Sequence, residues 1–152
     1  MPAEVIFRRA TRDDLPAIMT LLADDDIARA RGGYDTGLPT EAFARIDADP
    51  RNELIVASTE DDGAIVGTCQ LTFIPGLSRG GAERMTIEAV RVRTDLRGAG
   101  IGRRMMEFAL DRARARGCTL AQLTTDKRRA DAHRFYASLG FVASHEGMKK
   151  AL

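Results

Sequence analysis

Between Met85 and Arg104 the sequence changes its pattern twice within a short stretch. Met85, Ile87 and Ala89 alternate on odd positions, and Val90 and Val92 then alternate on even ones. A strand whose phase slips by one residue is what a β-bulge makes, because one inserted residue flips every side chain after it. A strand buried on both faces would also tolerate such apolar neighbours. Directly afterwards comes Arg97-Gly98-Ala99-Gly100-Ile101-Gly102-Arg103-Arg104, and then a run rich in Met, Phe and Ala that reads as a helix over 101–116, closed by Gly117. Glycines ahead of a helix let the backbone approach a ligand, and the unbonded amides of the first turn point at it. With Arg97 and Arg103 beside them, the expected ligand group is a phosphate or diphosphate; the plain alternative is a glycine-rich turn. A Walker A loop would need a Lys-Ser/Thr pair that is absent. A Rossmann turn would need a third glycine where Arg103 stands, and Asp126 lies too far beyond Gly98 to serve as the ribose acid.

The 152 residues are the length of one domain, expected to span 1–152. Val5–Arg8 reads as a first strand. Thr11 and Asp13-Asp14 then open a helix with an apolar stripe at Leu15, Ile18, Met19 and Leu22. A glycine-bearing loop over 31–39 leads to a short helix with Phe43 and Ile46. Residues 54–58 and 65–74 read as strands joined by the turn Glu60-Asp61-Asp62-Gly63. Strands over 84–93 and 120–124 flank the 101–116 helix. A helix over 130–139 stops at Gly140, and Phe141–Ala143 with the tail would add one or two more strands. The sum is an α/β fold: a mixed, mostly antiparallel sheet of six to seven strands with helices on both faces.

Lys and Arg number 23 against 22 Asp and Glu, a formal net charge of +1. A strong basic excess, the usual mark of a nucleic-acid binder, is missing, so no nucleic-acid partner is expected. The basic residues nevertheless concentrate from Arg91 onward, while Asp24-Asp25-Asp26 and Glu60-Asp61-Asp62 lie in the first half. That asymmetry suits a local anion site. No apolar run approaches the ~20 residues a membrane helix needs, so no membrane partner is expected. The first residues lack the basic-then-apolar order of a signal peptide, which points to the cytoplasm. Cys69 and Cys118 form no CxxC, and neither His133 nor His145 stands at metal-ligand spacing with them. Buried reduced thiols and no metal are the expectation.

Val90-Arg91-Val92-Arg93-Thr94-Asp95-Leu96-Arg97-Gly98-Ala99-Gly100-Ile101-Gly102 resembles the acetyl-CoA motif of the GNAT superfamily of N-acetyltransferases, [QR]xxGx[GA], with Arg97, Gly100 and Gly102 filling it. Ala132-His133-Arg134-Phe135-Tyr136-Ala137-Ser138-Leu139-Gly140-Phe141 resembles that family's second motif, A-x-x-x-Y-x-x-x-G-F. The resemblance implies a sheet splayed at the fourth and fifth strands, with pantetheine lying in the gap as a pseudo-strand. It implies that Val90, Arg91 and Val92 offer backbone hydrogen bonds to acetyl-CoA, and that the Val92 region polarises the acetyl carbonyl. Gly98, Ala99, Gly100, Ile101, Gly102 and Arg103, with Arg97, would bind the diphosphate. Lys127, Arg128 and Arg129 either meet the CoA phosphates or are solvated surface charge.

Catalytic roles follow in the same way. Tyr136 stands at the family's tyrosine position, where a phenol can protonate or hold the departing thiolate. Glu88 corresponds to a strand glutamate used as a base in part of the family; the alternative is an exposed carboxylate paired with Arg84 or Arg91. The implied activity is transfer of acetyl from acetyl-CoA directly to a primary amine, of a small molecule in preference to a protein tail. The other class of reading is a CoA-binding sensor or interaction module without turnover. The acceptor loops implied by the resemblance contain Arg29, Arg31, Tyr34, Asp35 and Arg79. The arginines suit an acceptor that also carries a carboxylate, whereas Asp35 and Asp24–Asp26 suit a cationic amine. Dimers are frequent in the family, so a homodimer is a partner the resemblance allows, although no residue specifies it.

Overall fold

A computed structural model describes residues 4–34 and 36–152; Asp35 lies outside them. β1 (Val5–Arg9) is followed by a 3-10 turn, α1 (Leu15–Ala23), α2 (Asp26–Arg31) and α3 (Thr40–Ala48). Then come β2 (Asn52–Thr59), β3 (Ile65–Ile74), β4 (Arg84–Val92), α4 (Ile101–Ala115), β5 (Leu120–Leu123) and α5 (Ala130–Ser138). Among the described residues the strands make one five-stranded sheet in the order β1-β2-β3-β4-β5. The first three pairings are antiparallel, and β4 with β5 is parallel.

Sheet alternation sorts the two cores. Ile55, Cys69, Leu71, Phe73, Met85 and Ile87 meet Met105, Met106, Ala109 and Ala113 of α4, with Phe135, Tyr136 and Leu139 of α5 alongside. Val56, next to Ile55 and so pointing the other way, meets Leu15 and Ile18 of α1 and Phe43 of α3. Helices therefore cover both faces. Buried Glu53 of β2 takes a two-pronged ion pair from Arg112, which ties α4 to the sheet.

Two expectations need correction. The sheet has five strands, not six to seven: residues 141–152 form no ladder. The Phe141 ring packs edge-on against Tyr136 at 6.0 Å, and its N–H closes α5 on the Tyr136 carbonyl at 3.1 Å. Val142 and Met148 are left exposed, so their β-forming preference meets no neighbouring strand. The second correction is α2, which occupies part of a stretch without an expected helix. Asp25 caps it, accepting from the Ala28 N–H at 2.8 Å.

Candidate active site

The β3–β4 register shifts between Thr68 and Gln70. Arg91 faces Thr68 and Glu88 faces Gln70, so Ala89 and Val90 oppose the single residue Cys69. Ala89 carries the strain, at φ 54°. This is the bulge expected from the slip in apolar phase. It coincides with a second event. β4 pairs β5 only from Arg84–Leu120 to Ile87–Leu123, and from Glu88 onward its outer edge has no strand partner. The ladder between the fourth and fifth strands ends there, leaving a gap in the pairing beside β4. The Arg93 N–H donates to the Val66 carbonyl on the β3 side at 2.8 Å. Alternation then turns the peptide groups of Val92 outward into the gap.

The gap leads to the start of α4. Gly98 and Gly100 hold φ of 83° and 85°, a left-handed geometry natural only to glycine. Gly100 is the N-cap, and the Arg104 N–H already bonds back to its carbonyl. The amides of Ile101, Gly102 and Arg103 are thus the first-turn donors that an α-helix leaves over. Gly102 has a different job: a Cβ there would stand 3.4 Å from the Phe135 ring of α5 and 3.7 Å from Val92. Arg97, Gly98, Ala99 and Gly100 are exposed. A cradle of free amides between Arg97 and Arg103 fits a diphosphate, and the gap beside Val90–Val92 fits an extended arm.

Tyr136 reaches the bulge from α5. Its ring packs on Phe135 at 5.2 Å, and burial raises the phenol pKa, partly opposed by the charge of Arg91. Glu88 is exposed and makes no ion pair with Arg84 or Arg91 among the described residues. Cys69, buried behind the bulge, is pushed up to about 12 by burial, so it is no nucleophile at neutral pH. Among the described residues no group of His, Cys, Asp and Glu is placed to hold a metal.

The α1–α2 corner straps this opening. The Thr94 hydroxyl donates to Asp24 at 2.6 Å, and Arg31 of α2 reaches Asp126 beyond β5 at 3.4 Å. Arg129 donates to both oxygens of Asp25, at 2.8 and 2.7 Å. Asp25 is thereby held down to about 2, chiefly by the Arg129 bonds and then by the Ala28 N–H and the charges of Arg129 and Arg91. Lys127 and Arg128 are likewise matched, to Glu146 and Asp126.

The sequence-derived residues therefore fall into groups. Val90, Val92 and Tyr136 lie on the α4 side of the bulge, Glu88 and Arg91 are on its other face, and Arg97 to Arg103 form the cradle ahead of α4. Tyr34 stands near Arg91. Arg29 is turned onto Asp26 and the Ala23 carbonyl. Arg79 lies in the loop before β4, whose first residue, Arg84, is itself five strand residues or roughly 16 Å from the bulge, and it is not brought together with the rest. Two surface depressions, of about 510 and 490 Å³, lie between the Ala10–Arg12 turn and α3 and beside Asp24, Arg29 and Arg93. Asp25 and the side chain of Arg129 were not singled out as a pair; they stand 104 positions apart, and no local pattern could join them.

Comparison with known proteins gives a family and related folds. Residues 15–141 match the model of the "Acetyltransferase (GNAT) family". A crystal structure from Bacillus halodurans C-125, described as a transcriptional regulator, superposes with a TM-score of 0.92 at 48% identity, covering 98% of this chain and 100% of that one. An aminoalkylphosphonate N-acetyltransferase of Salmonella typhimurium is 39% identical over 66 residues, 43% of each chain. A glucosamine 6-phosphate N-acetyltransferase of Trypanosoma brucei brucei is 33% identical over 87 residues, 57% of each. The matches thus span about half the length of these two relatives.

Proposed function

The chain belongs to the acetyltransferase (GNAT) family, and from that premise we propose that it is an acetyl-CoA-dependent N-acetyltransferase acting on the primary amine of a small molecule. The observation that carries this reading is the departure of β4 from β5 at the bulge, opening directly onto the amide cradle of α4. The two relatives' names support the acceptor class, since both describe N-acetylation of a small amine. The cytoplasm remains the compartment proposed for it.

Bound acetyl-CoA would supply an acetyl group already activated as a thioester. The amides of Ile101, Gly102 and Arg103 with Arg97 hold the diphosphate, and Gly98 and Gly100 let the backbone come close enough. Beside Val90, whose carbonyl accepts from Arg91, the outward peptide groups of Val92 align the pantetheine arm, and the Val92 N–H donates to the acetyl oxygen. A donor fixed in advance stabilises charge that develops on that oxygen as the amine attacks. An ammonium has no lone pair, so the amine must lose a proton; Glu88, exposed on the gap, takes it directly or through water. The carbon–nitrogen bond forms as the carbon–sulfur bond breaks, and the Tyr136 phenol gives its proton to the leaving thiolate. Transfer is direct, with Cys69 too buried and too basic to form a covalent intermediate.

The test is an acceptor screen that measures free thiol. Thiol is expected only when acetyl-CoA and a suitable amine are both present; release at the same rate without acceptor would overturn direct transfer. The description of the Bacillus halodurans structure as a transcriptional regulator favours a second reading, a CoA-binding module without turnover. A broad amine panel giving no turnover, while acetyl-CoA still raises the Tm, would select it.

A further inference from the structure

The bulge has an effect on the face opposite α4. Residues on one face of a regular strand are two apart, so Glu88 and Arg91 would normally face opposite ways. The extra residue at Ala89-Val90 brings them onto the same face, with Val90 and Val92 turned toward α4. Glu88 and the root of Arg91 are then roughly 7 Å apart along the strand, the spacing of same-face neighbours.

Arg91 is incompletely matched. Its Nη1 donates to the Val90 carbonyl at 2.9 Å, and its Nη2 stays 3.6 Å from Asp25, beyond a hydrogen bond. Its Nε is buried with no hydrogen-bond partner, and among the described residues no other buried side-chain nitrogen or oxygen is in that state. Asp25 cannot make up the deficit, being engaged by both prongs of Arg129 and by the Ala28 N–H. Two guanidiniums therefore share one carboxylate, leaving a local excess of one positive charge in a half-buried cleft. A buried cation short of partners is costly unless an anion completes it. Of the surrounding arginines, Arg29 and Arg93 pair with Asp26 and Asp95, and Arg31 and Arg128 share Asp126 at 3.4 and 2.8 Å; unlike all four, Arg91 hydrogen-bonds no carboxylate. The phenols of Tyr34 and Tyr136 lie close enough to act on the charge of Arg91.

We propose that Arg91 is the receptor for an anionic group carried by the acceptor itself, the accessible part of its guanidinium taking a carboxylate or phosphonate while Glu88 faces the amine a few bonds away. This rests on the transferase reading and narrows it to short amino carboxylates and amino phosphonates. Arg129 serves by keeping Asp25 occupied, so that Arg91 is left for the ligand.

A matched set of acceptors tests it: 3-aminopropanoate, 2-aminoethylphosphonate and the neutral 3-aminopropan-1-ol. In the native protein the anionic pair is expected to exceed the alcohol in kcat/KM by roughly 10- to 100-fold, the range of a charge-assisted pair of hydrogen bonds. Arg91→Leu should collapse that ratio toward one, mainly through KM, and Arg91→Lys should restore part of it. Because a variant can fail to fold, methylphosphonate is also titrated into the native protein, where it should compete with the amine and not with acetyl-CoA. A ratio near one in the native protein, a ratio that survives Arg91→Leu, or methylphosphonate competing only with acetyl-CoA would each overturn the inference alone. Absence of turnover on every amine, together with absence of heat on titrating acetyl-CoA, would overturn the transferase reading and this inference with it.

Discussion

From Arg84 to Ile87, β4 has a strand on each side, and Met85 and Ile87 are buried against α4. From Glu88 to Val92 only β3 remains, and no residue is fully buried. The same strand is thus a piece of core in its first half and a wall of the gap in its second. The change happens within two residues, where Ile87 makes the last pairing with Leu123 and Ala89 takes a positive φ. The lesson is that a backbone edge becomes available for binding only where burial has been given up, and that the anchored half makes the loss tolerable.

The contrast can be broken experimentally. The largest effect is expected at the open half: Glu88→Gln should lower kcat by about 100-fold or more, as removal of a general base does, with Tm unchanged. An unchanged kcat on a good acceptor would remove Glu88 from the chemistry. At the closed half, Met85→Ala should cost about 2–5 kcal/mol in a denaturant titration, while turnover per folded molecule persists. Selective loss of turnover there would erase the distinction between the halves. Gly100→Ala forces a side chain into left-handed backbone at about 1–2 kcal/mol and should weaken acetyl-CoA binding several-fold in calorimetry. Tyr136→Phe should reduce kcat about 10-fold or more if the phenol protonates the thiolate, with acetyl-CoA affinity little altered.

The smallest effect concerns the strap over the open half. The pKa of Asp25 is depressed from its ordinary value near 3.8 to about 2. A carboxylate whose folded pKa is lowered stabilises the fold above its unfolded pKa and loses that contribution as pH falls through the folded one. Stability should therefore decline between about pH 4 and pH 2, less steeply in Asp25→Asn. Equal slopes would show that the Arg129 pair does not hold the corner.

The same contrast explains what could be read in advance. The bulge was visible because parity is strict: Ile87 and Val90 cannot both face α4 without an extra residue between them. The glycines before α4 were legible as a place where backbone can come close to a ligand; that Gly98 and Gly100 take a positive φ while Gly102 enters the helix is seen only in the structure. The Asp24–Asp26 run gave no sign that Asp25 caps a helix and meets Arg129, since an N-cap and a charge run look alike without the partner. Arg91 was legible for its peptide group; what its side chain does depends on Asp25 and Arg129, both distant in sequence. Phe141–Ala143 looked like a strand because its residues favour one, yet a strand exists only with a neighbour, and α5 claims the Phe141 ring.

Ala89 is also a length marker. Removing that one residue would restore unbroken pleating without turning anything over: Glu88 and Val90 would become neighbours, Val90 and Val92 would still face α4, and Arg91 would still face away. A single-codon deletion at this point is thus expected to leave both compartments lined as they are and to straighten only the edge, separating the folding of the chain from its capacity to bind.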